Sequence, residues 1–115
     1  MDITIFHNPK CSKSRQTLQL LVKKDNINLV IRKYLETPAD RTELTELSEK
    51  LNMPFSQMVR TKESEFKEFV SDKSDNQQCL EAMIKFPKVM ERPIVIGGDK
   101  AVFGRPPENI NMLFK

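Results

Sequence analysis

The sequence predicts a single α/β domain over residues 1–115, in which a helical insertion at about 40–86 separates an N-terminal βαβ half from a C-terminal ββα half. The chain has 115 residues, of which 38% are apolar, and this is enough for one core. Residues that favour strands are concentrated near both ends, whereas the middle carries apolar residues at helical spacing. This distribution predicts a mixed sheet of about four strands.

The first third of the chain is predicted to contain a strand, a loop, a helix and a second strand. Residues 2–6 alternate in the manner of a short strand, and Pro9 disfavours a helix at the residue before it. Ser12 is a candidate N-cap for a helix that ends near Asp25. Residues 29–31 form the second strand, which a right-handed crossover makes parallel to the first.

The middle of the chain is predicted to be helical. Residues 37–40 are a helix start signal. Apolar stripes then predict one helix, two short helices and a fourth helix, at Leu44–Leu51, Phe55–Val59, Phe66–Val70 and Cys79–Ile84.

The C-terminal part is predicted to return to β structure. Two short β runs at 94–96 and 101–103 flank the turn residues 97–100, which predicts a hairpin. Pro107 stands where a last helix could begin.

Composition excludes several classes of protein. Two cysteines and one histidine are too few for a structural zinc site, and the three glycines match no nucleotide-binding loop. The net charge of +3 is spread along the chain, and no apolar run is long enough to span a bilayer. We therefore expect a monomer with no bound cofactor or metal that binds neither nucleic acid nor membrane. The N-terminus does not resemble an export signal, so we expect reduced thiols and a cytoplasmic location.

Cys11 is the candidate nucleophile. It lies between the first strand and the first helix, where unpaired amide N–H groups and the helix dipole stabilise a thiolate. The alternative is a small buried cysteine that only packs, but the polar residues around Cys11 argue against it. Ser14 replaces the second thiol of a CxxC motif, and its hydroxyl could hydrogen-bond the thiolate. Cys79 lies on an apolar helical stripe, which favours core packing over a resolving role.

Four further residues are candidates for the same site. His7 precedes Cys11 by four residues, so that it has either an electrostatic or a purely structural role. The guanidinium groups of Arg60, Arg92 and Arg105 suit oxyanions, although each could be a solvated surface cation. The Arg92–Pro93 bond is a candidate cis peptide.

Taken together, the chain resembles the glutaredoxin-coupled arsenate reductase family, which has a thioredoxin-like fold. The resemblance covers nearly the whole chain and is carried by five ordered segments, at residues 7–15, 34–38, 59–63, 91–95 and 104–108.

The resemblance implies a mechanism in which Cys11 attacks arsenate. Glutathione, a co-substrate, would displace the product, and glutaredoxin would reduce the mixed disulfide. It also implies that three arginines bind the oxyanion, that His7 favours the thiolate and that Pro93 is the cis-proline of the fold. The three arginines are Arg60, Arg92 and Arg105.

Two departures keep alternatives open. Ser12 and Lys13 stand where well-known members have small residues, and the chain ends soon after residue 108, as in the shorter chromosomal branch. One alternative is a glutathione-dependent thiol reductase that does not act on arsenate. The other is a redox-sensing regulator that binds RNA polymerase, although Ser14 counts against it because that class usually carries CxxC.

Overall fold

The protein forms a four-stranded mixed sheet. The computed structural model describes residues 1–114. The strands run in the order β2-β1-β3-β4, with β1 parallel to β2 and the other two pairs antiparallel. The predicted parallel crossover and C-terminal hairpin are therefore both confirmed. The strands are β1 (Asp2–Phe6), β2 (Asn28–Arg32), β3 (Ile94–Gly97) and β4 (Lys100–Phe103).

The helices largely follow the predicted order. The α-helices are α1 (Ser12–Val22), α2 (Arg41–Leu51), α3 (Ser64–Phe69) and α4 (Asn76–Lys85). Three segments are 3-10 helices instead, at Phe55–Gln57, Pro87–Val89 and Pro107–Phe114. The helix expected over residues 55–59 is thus a single turn, and the last helix is entirely of the 3-10 type.

Both predicted ends of α1 need correction. The N-cap is Cys11, not Ser12, because residue 11 is extended, with φ −97° and ψ 124°, while Ser12 is already helical. The helix ends at Val22, before the predicted Asp25, and the amide of Lys24 donates to the carbonyl of Leu21 at 3.0 Å just beyond its last turn. The shift of the N-cap by one residue matters because it places the sulfur at the open end of the helix.

The residues of the chain group into two compact units. Within the described residues, the first consists of 1–37 and 92–114, and it contains the whole sheet, α1 and the C-terminal 3-10 helix. Its core fixes α1 and the C-terminal segment to the sheet through the side chains of Ile3, Ile5, Leu21, Val95, Ile110 and Leu113.

The second unit covers residues 38–91 and contains α2, α3 and α4. Asp40 caps α2 in a capping box, since its side chain accepts from the amide of Glu43 while the side chain of Glu43 accepts from the amide of Asp40. The predicted start signal at residues 37–40 is therefore confirmed. The prediction of one domain with an insertion at about 40–86 stays a prediction.

No helix within residues 1–114 is both long and apolar enough to cross a membrane.

Candidate active site

Cys11 lies at the N-terminus of α1, directly after the loop that follows β1. Its amide donates to the carbonyl of Asn8 at 3.0 Å, and its own carbonyl accepts from the amide of Arg15 at 3.0 Å. The residue is 8% exposed, so the sulfur is nearly covered. As the N-cap, it lies beside the unpaired amide N–H groups of the first helical turn, where the helix dipole favours an anion.

The loop before Cys11 is held by side chains as well as by its backbone. The side chain of Asn8 accepts from the amide of Lys10, and the amide of Asn8 donates to the Oγ atom of Ser14, both at 3.0 Å. The Nη1 atom of Arg15 donates to the carbonyl of Pro9 at 2.9 Å. These bonds tie the loop to the first turn of α1 and so fix the position of the sulfur.

The environment of Cys11 favours its thiolate. Burial acts to raise the pKa of Cys11, but the amide N–H groups of Ser14 and Lys13 and the positive charges of Arg92 and Arg105 outweigh it. The pKa of Cys11 therefore lies below its ordinary value. Since the thiolate is the nucleophilic form, the lowered pKa gives this sulfur a larger reactive fraction than an ordinary cysteine has at the same pH.

The guanidinium group of Arg105 donates a hydrogen bond to the sulfur of Cys11. Its Nη2 atom lies 3.5 Å from the Sγ atom of Cys11, and its Nε atom donates to the carbonyl of Arg92 at 2.7 Å. The peptide bond between Arg92 and Pro93 is cis, as the sequence suggests, and so is the bond between Arg105 and Pro106. Two predicted oxyanion-binding arginines, 13 positions apart, are thus hydrogen-bonded to each other beside the candidate nucleophile, which is far from both in sequence.

The structure gives Ser14 a different hydrogen bond from the one expected. Its hydroxyl lies 2.6 Å from the Nδ1 atom of His7, and its backbone amide, rather than its side chain, stabilises the thiolate. Ser14 is fully buried. It therefore connects His7 and the loop amide of Asn8 to the helix turn that faces the sulfur.

His7 is buried, and its surroundings disfavour the charged form of its ring. Only 5% of the residue is exposed, and burial, together with the positive charges of Lys33 and Arg15, lowers the pKa of His7 from its usual value. The resemblance implies that His7 favours the thiolate; a lowered pKa reduces the share of charged imidazole, and this role of His7 stays a prediction. The structure supports a positioning role for His7, through its bond to Ser14.

Thr17 and Gly104 form a buried contact close to the site residues in sequence, and the sequence analysis missed it. Thr17 is fully buried, and its hydroxyl contacts the carbonyl of Lys13 at 2.8 Å and the carbonyl of Gly104 at 3.1 Å. The only sequence signal for Thr17 is a polar residue placed four positions before the apolar Leu21, on the same face of α1. Nothing local marks Gly104 as its partner, because the two residues are 87 positions apart.

Arg60 lies in the second unit, where it belongs to a small cluster of charges. Its Nη1 atom is 2.5 Å from a carboxylate oxygen of Glu63, and its Nε atom is 3.9 Å from one of Glu91. Its amide donates to the carbonyl of Val89 at 2.7 Å. Its role in oxyanion binding stays a prediction.

Cys79 has the properties of a packing residue. It is fully buried in α4, its thiol contacts the carbonyl of Lys73 at 3.5 Å, and burial raises its pKa. Both cysteines are free thiols. A buried thiol with a raised pKa is a poor nucleophile, so Cys11 is the better candidate for the reactive sulfur.

The arrangement around Cys11 suits nucleophilic attack on an oxyanion. A thiolate, two guanidinium groups and a helix N-terminus offer both an attacking atom and several hydrogen-bond donors. Within residues 1–114, no group of three or more histidine, cysteine or acidic residues is placed to hold a metal ion.

Comparison with known proteins identifies the family to which the chain belongs. The ArsC family profile matches residues 6–113. An arsenate reductase of Neisseria meningitidis serogroup A is 44% identical over 112 residues, which cover 95% of each chain. The Escherichia coli protein YfgD, whose name states no activity, is 45% identical over 94% of this chain and 92% of its own length.

A solved structure agrees with these relatives. The structure of an arsenate reductase from Vibrio cholerae superposes with a TM-score of 0.88 at 42% identity, over 98% of both chains. The family match covers nearly all of the chain, including Cys11, Arg92 and Arg105. The chain belongs to the ArsC family and has its thioredoxin-like fold.

Proposed function

We propose that this protein is an arsenate reductase in which the Cys11 thiolate attacks the arsenic atom. The observation that carries this proposal is the contact of 3.5 Å between the Nη2 atom of Arg105 and the Sγ atom of Cys11. A guanidinium group this close to the sulfur stabilises the thiolate and can also bind an oxygen of an anion that approaches it. Relatives at 42–44% identity over nearly the whole chain carry the name arsenate reductase.

The first step forms a bond between sulfur and arsenic. The Sγ atom of Cys11 donates its electron pair to arsenic(V), and one arsenate oxygen leaves as water after taking up protons. Arg92 and Arg105 bind the remaining oxygens, whose negative charge grows in the transition state. The family resemblance implies that Arg60 also binds the oxyanion.

The second step needs an external thiol. Ser14 has no sulfur, and the thiol of Cys79 is buried in α4. We therefore expect neither residue to supply the thiol that attacks the adduct of Cys11 with arsenic. Glutathione supplies it. Its sulfur and that of Cys11 together give two electrons to arsenic, so that arsenite leaves and a mixed disulfide between Cys11 and glutathione remains. Glutaredoxin, with a second glutathione, then reduces this disulfide and restores the Cys11 thiol.

These reductants place the reaction in the cytoplasm. Glutathione and glutaredoxin keep thiols reduced there, which fits the two free cysteines of the chain.

The test is arsenite production under steady-state conditions. We expect turnover with glutathione and glutaredoxin together and its loss when either is omitted. Cys11→Ser abolishes the activity, whereas Cys79→Ser, the matched control, retains it. An active Cys11→Ser variant contradicts the proposal. Glutathione attached to Cys11 without any arsenate turnover would indicate instead a thiol reductase of the same fold.

A further inference from the structure

We propose that Thr17 is a positioning residue, which together with Gly104 sets the distance between Arg105 and the Cys11 sulfur. This inference rests on the proposed function of Cys11 as a thiolate nucleophile, and it adds a residue that does not touch the reacting atoms. The relevant contact joins α1, which carries Cys11 at its N-terminus, to the segment that carries Arg105.

The hydroxyl of Thr17 connects these two segments. Its hydrogen is shared between the carbonyl of Lys13, at 2.8 Å within α1, and the carbonyl of Gly104, at 3.1 Å across to the segment after β4. Thr17 and Gly104 are both buried. Because water does not reach this contact, its hydrogen bonds must be made inside the protein, and the two backbones cannot separate without breaking one.

Gly104 allows these backbones to come close. A Cβ atom added at residue 104 would lie 2.5 Å from the Oγ1 atom of Thr17 and 2.8 Å from the Cγ atom of Pro93. Both distances are well below normal van der Waals separation, so any larger residue here must push α1 or the Pro93 segment away. The amide of Gly104 also donates to the carbonyl of Pro93 at 2.9 Å. Gly104 is thus packed between the helix and the cis-proline.

The next residue after Gly104 is Arg105, whose side chain reaches back to the sulfur. Its Nε atom is anchored on the carbonyl of Arg92, which leaves the Nη2 atom 3.5 Å from the Sγ atom of Cys11. The position of the backbone at residue 104 therefore sets the point from which the Arg105 side chain extends toward the sulfur. A small movement of that backbone changes the contact between charge and sulfur, and electrostatic energy depends on that distance.

The alternative is that Thr17 only stabilises the helix, through its bond to Lys13. A threonine hydroxyl often bonds the carbonyl four residues earlier in a helix without any further role. The second bond, to Gly104, distinguishes the two cases. If Thr17 acts through Arg105, removing its hydroxyl has an effect on Cys11 only while Arg105 is present.

The experiment measures the pKa of Cys11 from the pH dependence of its alkylation by iodoacetamide. Thr17→Val keeps the shape of the side chain and removes the hydroxyl, and we expect it to raise the pKa of Cys11 by about half a unit. Thr17→Ser keeps the hydroxyl and is expected to return the pKa toward the wild-type value. Gly104→Ala tests the same contact from the other side and is expected to raise the pKa as well.

A double mutant then separates the two roles. In the Arg105→Gln background we expect Thr17→Val to cause no additional rise in the pKa of Cys11. An equal rise with and without Arg105, or folded Thr17→Val and Gly104→Ala variants with an unchanged pKa, would overturn the proposal. Alkylation requires no arsenate, so a wild-type protein that fails to reduce arsenate but shows this pattern contradicts the proposed function and leaves the role of Thr17 intact.

Discussion

The guanidinium group of Arg105 donates a hydrogen bond to the sulfur of Cys11 although the two residues are 94 positions apart in sequence. Its Nε atom is held by the carbonyl of Arg92, so the side chain has a fixed direction before any anion arrives. A donor held in place beforehand stabilises a developing negative charge without further rearrangement. This pair is the centre of the candidate site, and it makes the role of Arg105 directly testable.

Arg105→Ala is expected to lower kcat/KM for arsenate by about 30- to 1,000-fold, which corresponds to about 2–4 kcal/mol of transition-state stabilisation. The same change removes a positive charge that lowers the pKa of Cys11, so alkylation of that thiol shifts to higher pH. Arg105→Lys is the control, because it keeps the charge but not the two-pronged donor geometry. If the alanine variant reduced arsenate at the wild-type rate, Arg105 would have no part in oxyanion binding.

Ser14→Ala is expected to lower the free energy of unfolding by about 1–3 kcal/mol. The change removes the hydroxyl that contacts both the Nδ1 atom of His7 and the amide of Asn8, and it leaves these buried or half-buried groups without that partner. Urea denaturation measures the loss. Ser12→Ala is the matched control, because Ser12 lies in the same helical turn but is exposed. Equal effects of the two substitutions would mean that the bond to His7 contributes nothing to stability.

The buried His7 is expected to make the protein less stable as the pH falls from 7 to 5. Its pKa in the folded protein lies below the usual 6.5, so the unfolded chain takes up a proton first, and stability is lost between the unfolded and folded pKa values. His7 is the only histidine in the chain. Glu65, whose pKa the side chain of Lys88 lowers to about 2, titrates outside this range.

The measurement compares urea denaturation of the wild type and His7→Gln at pH 7 and pH 5. The variant should show a smaller difference in unfolding free energy between the two pH values, whatever its absolute stability. An identical pH dependence in both proteins would show that His7 is already protonated, or equally accessible, in the folded state.

The two thiols are expected to react at very different rates in the folded protein. Cys11 has a lowered pKa, whereas burial and the nearby carboxylates of Asp75 and Asp72 raise the pKa of Cys79. Brief alkylation at neutral pH followed by peptide mapping should find the label on Cys11 alone, and unfolding in urea should expose both. Rapid native labelling of Cys79 in a Cys11→Ser protein would contradict its assignment as a core residue.

Local sequence patterns are enough to predict most of the helices and strands and the position of the candidate nucleophile. The order of strands and helices follows from the spacing of apolar residues and from start signals such as residues 37–40. Each of these signals involves residues only a few positions apart in the chain. The position of Cys11 between β1 and α1 is also local, and it predicts a stabilised thiolate from the helix end alone.

Which groups surround that sulfur depends on tertiary packing. The bond of Ser14 to His7, the lowered pKa of His7 and the contact of Thr17 with Gly104 depend on how the loop and the C-terminal segment pack on α1. Such contacts join residues that are far apart in sequence and are buried from water. A local sequence pattern does not predict which distant carbonyl or charge will contact a given side chain, because the packing of the whole unit sets these contacts.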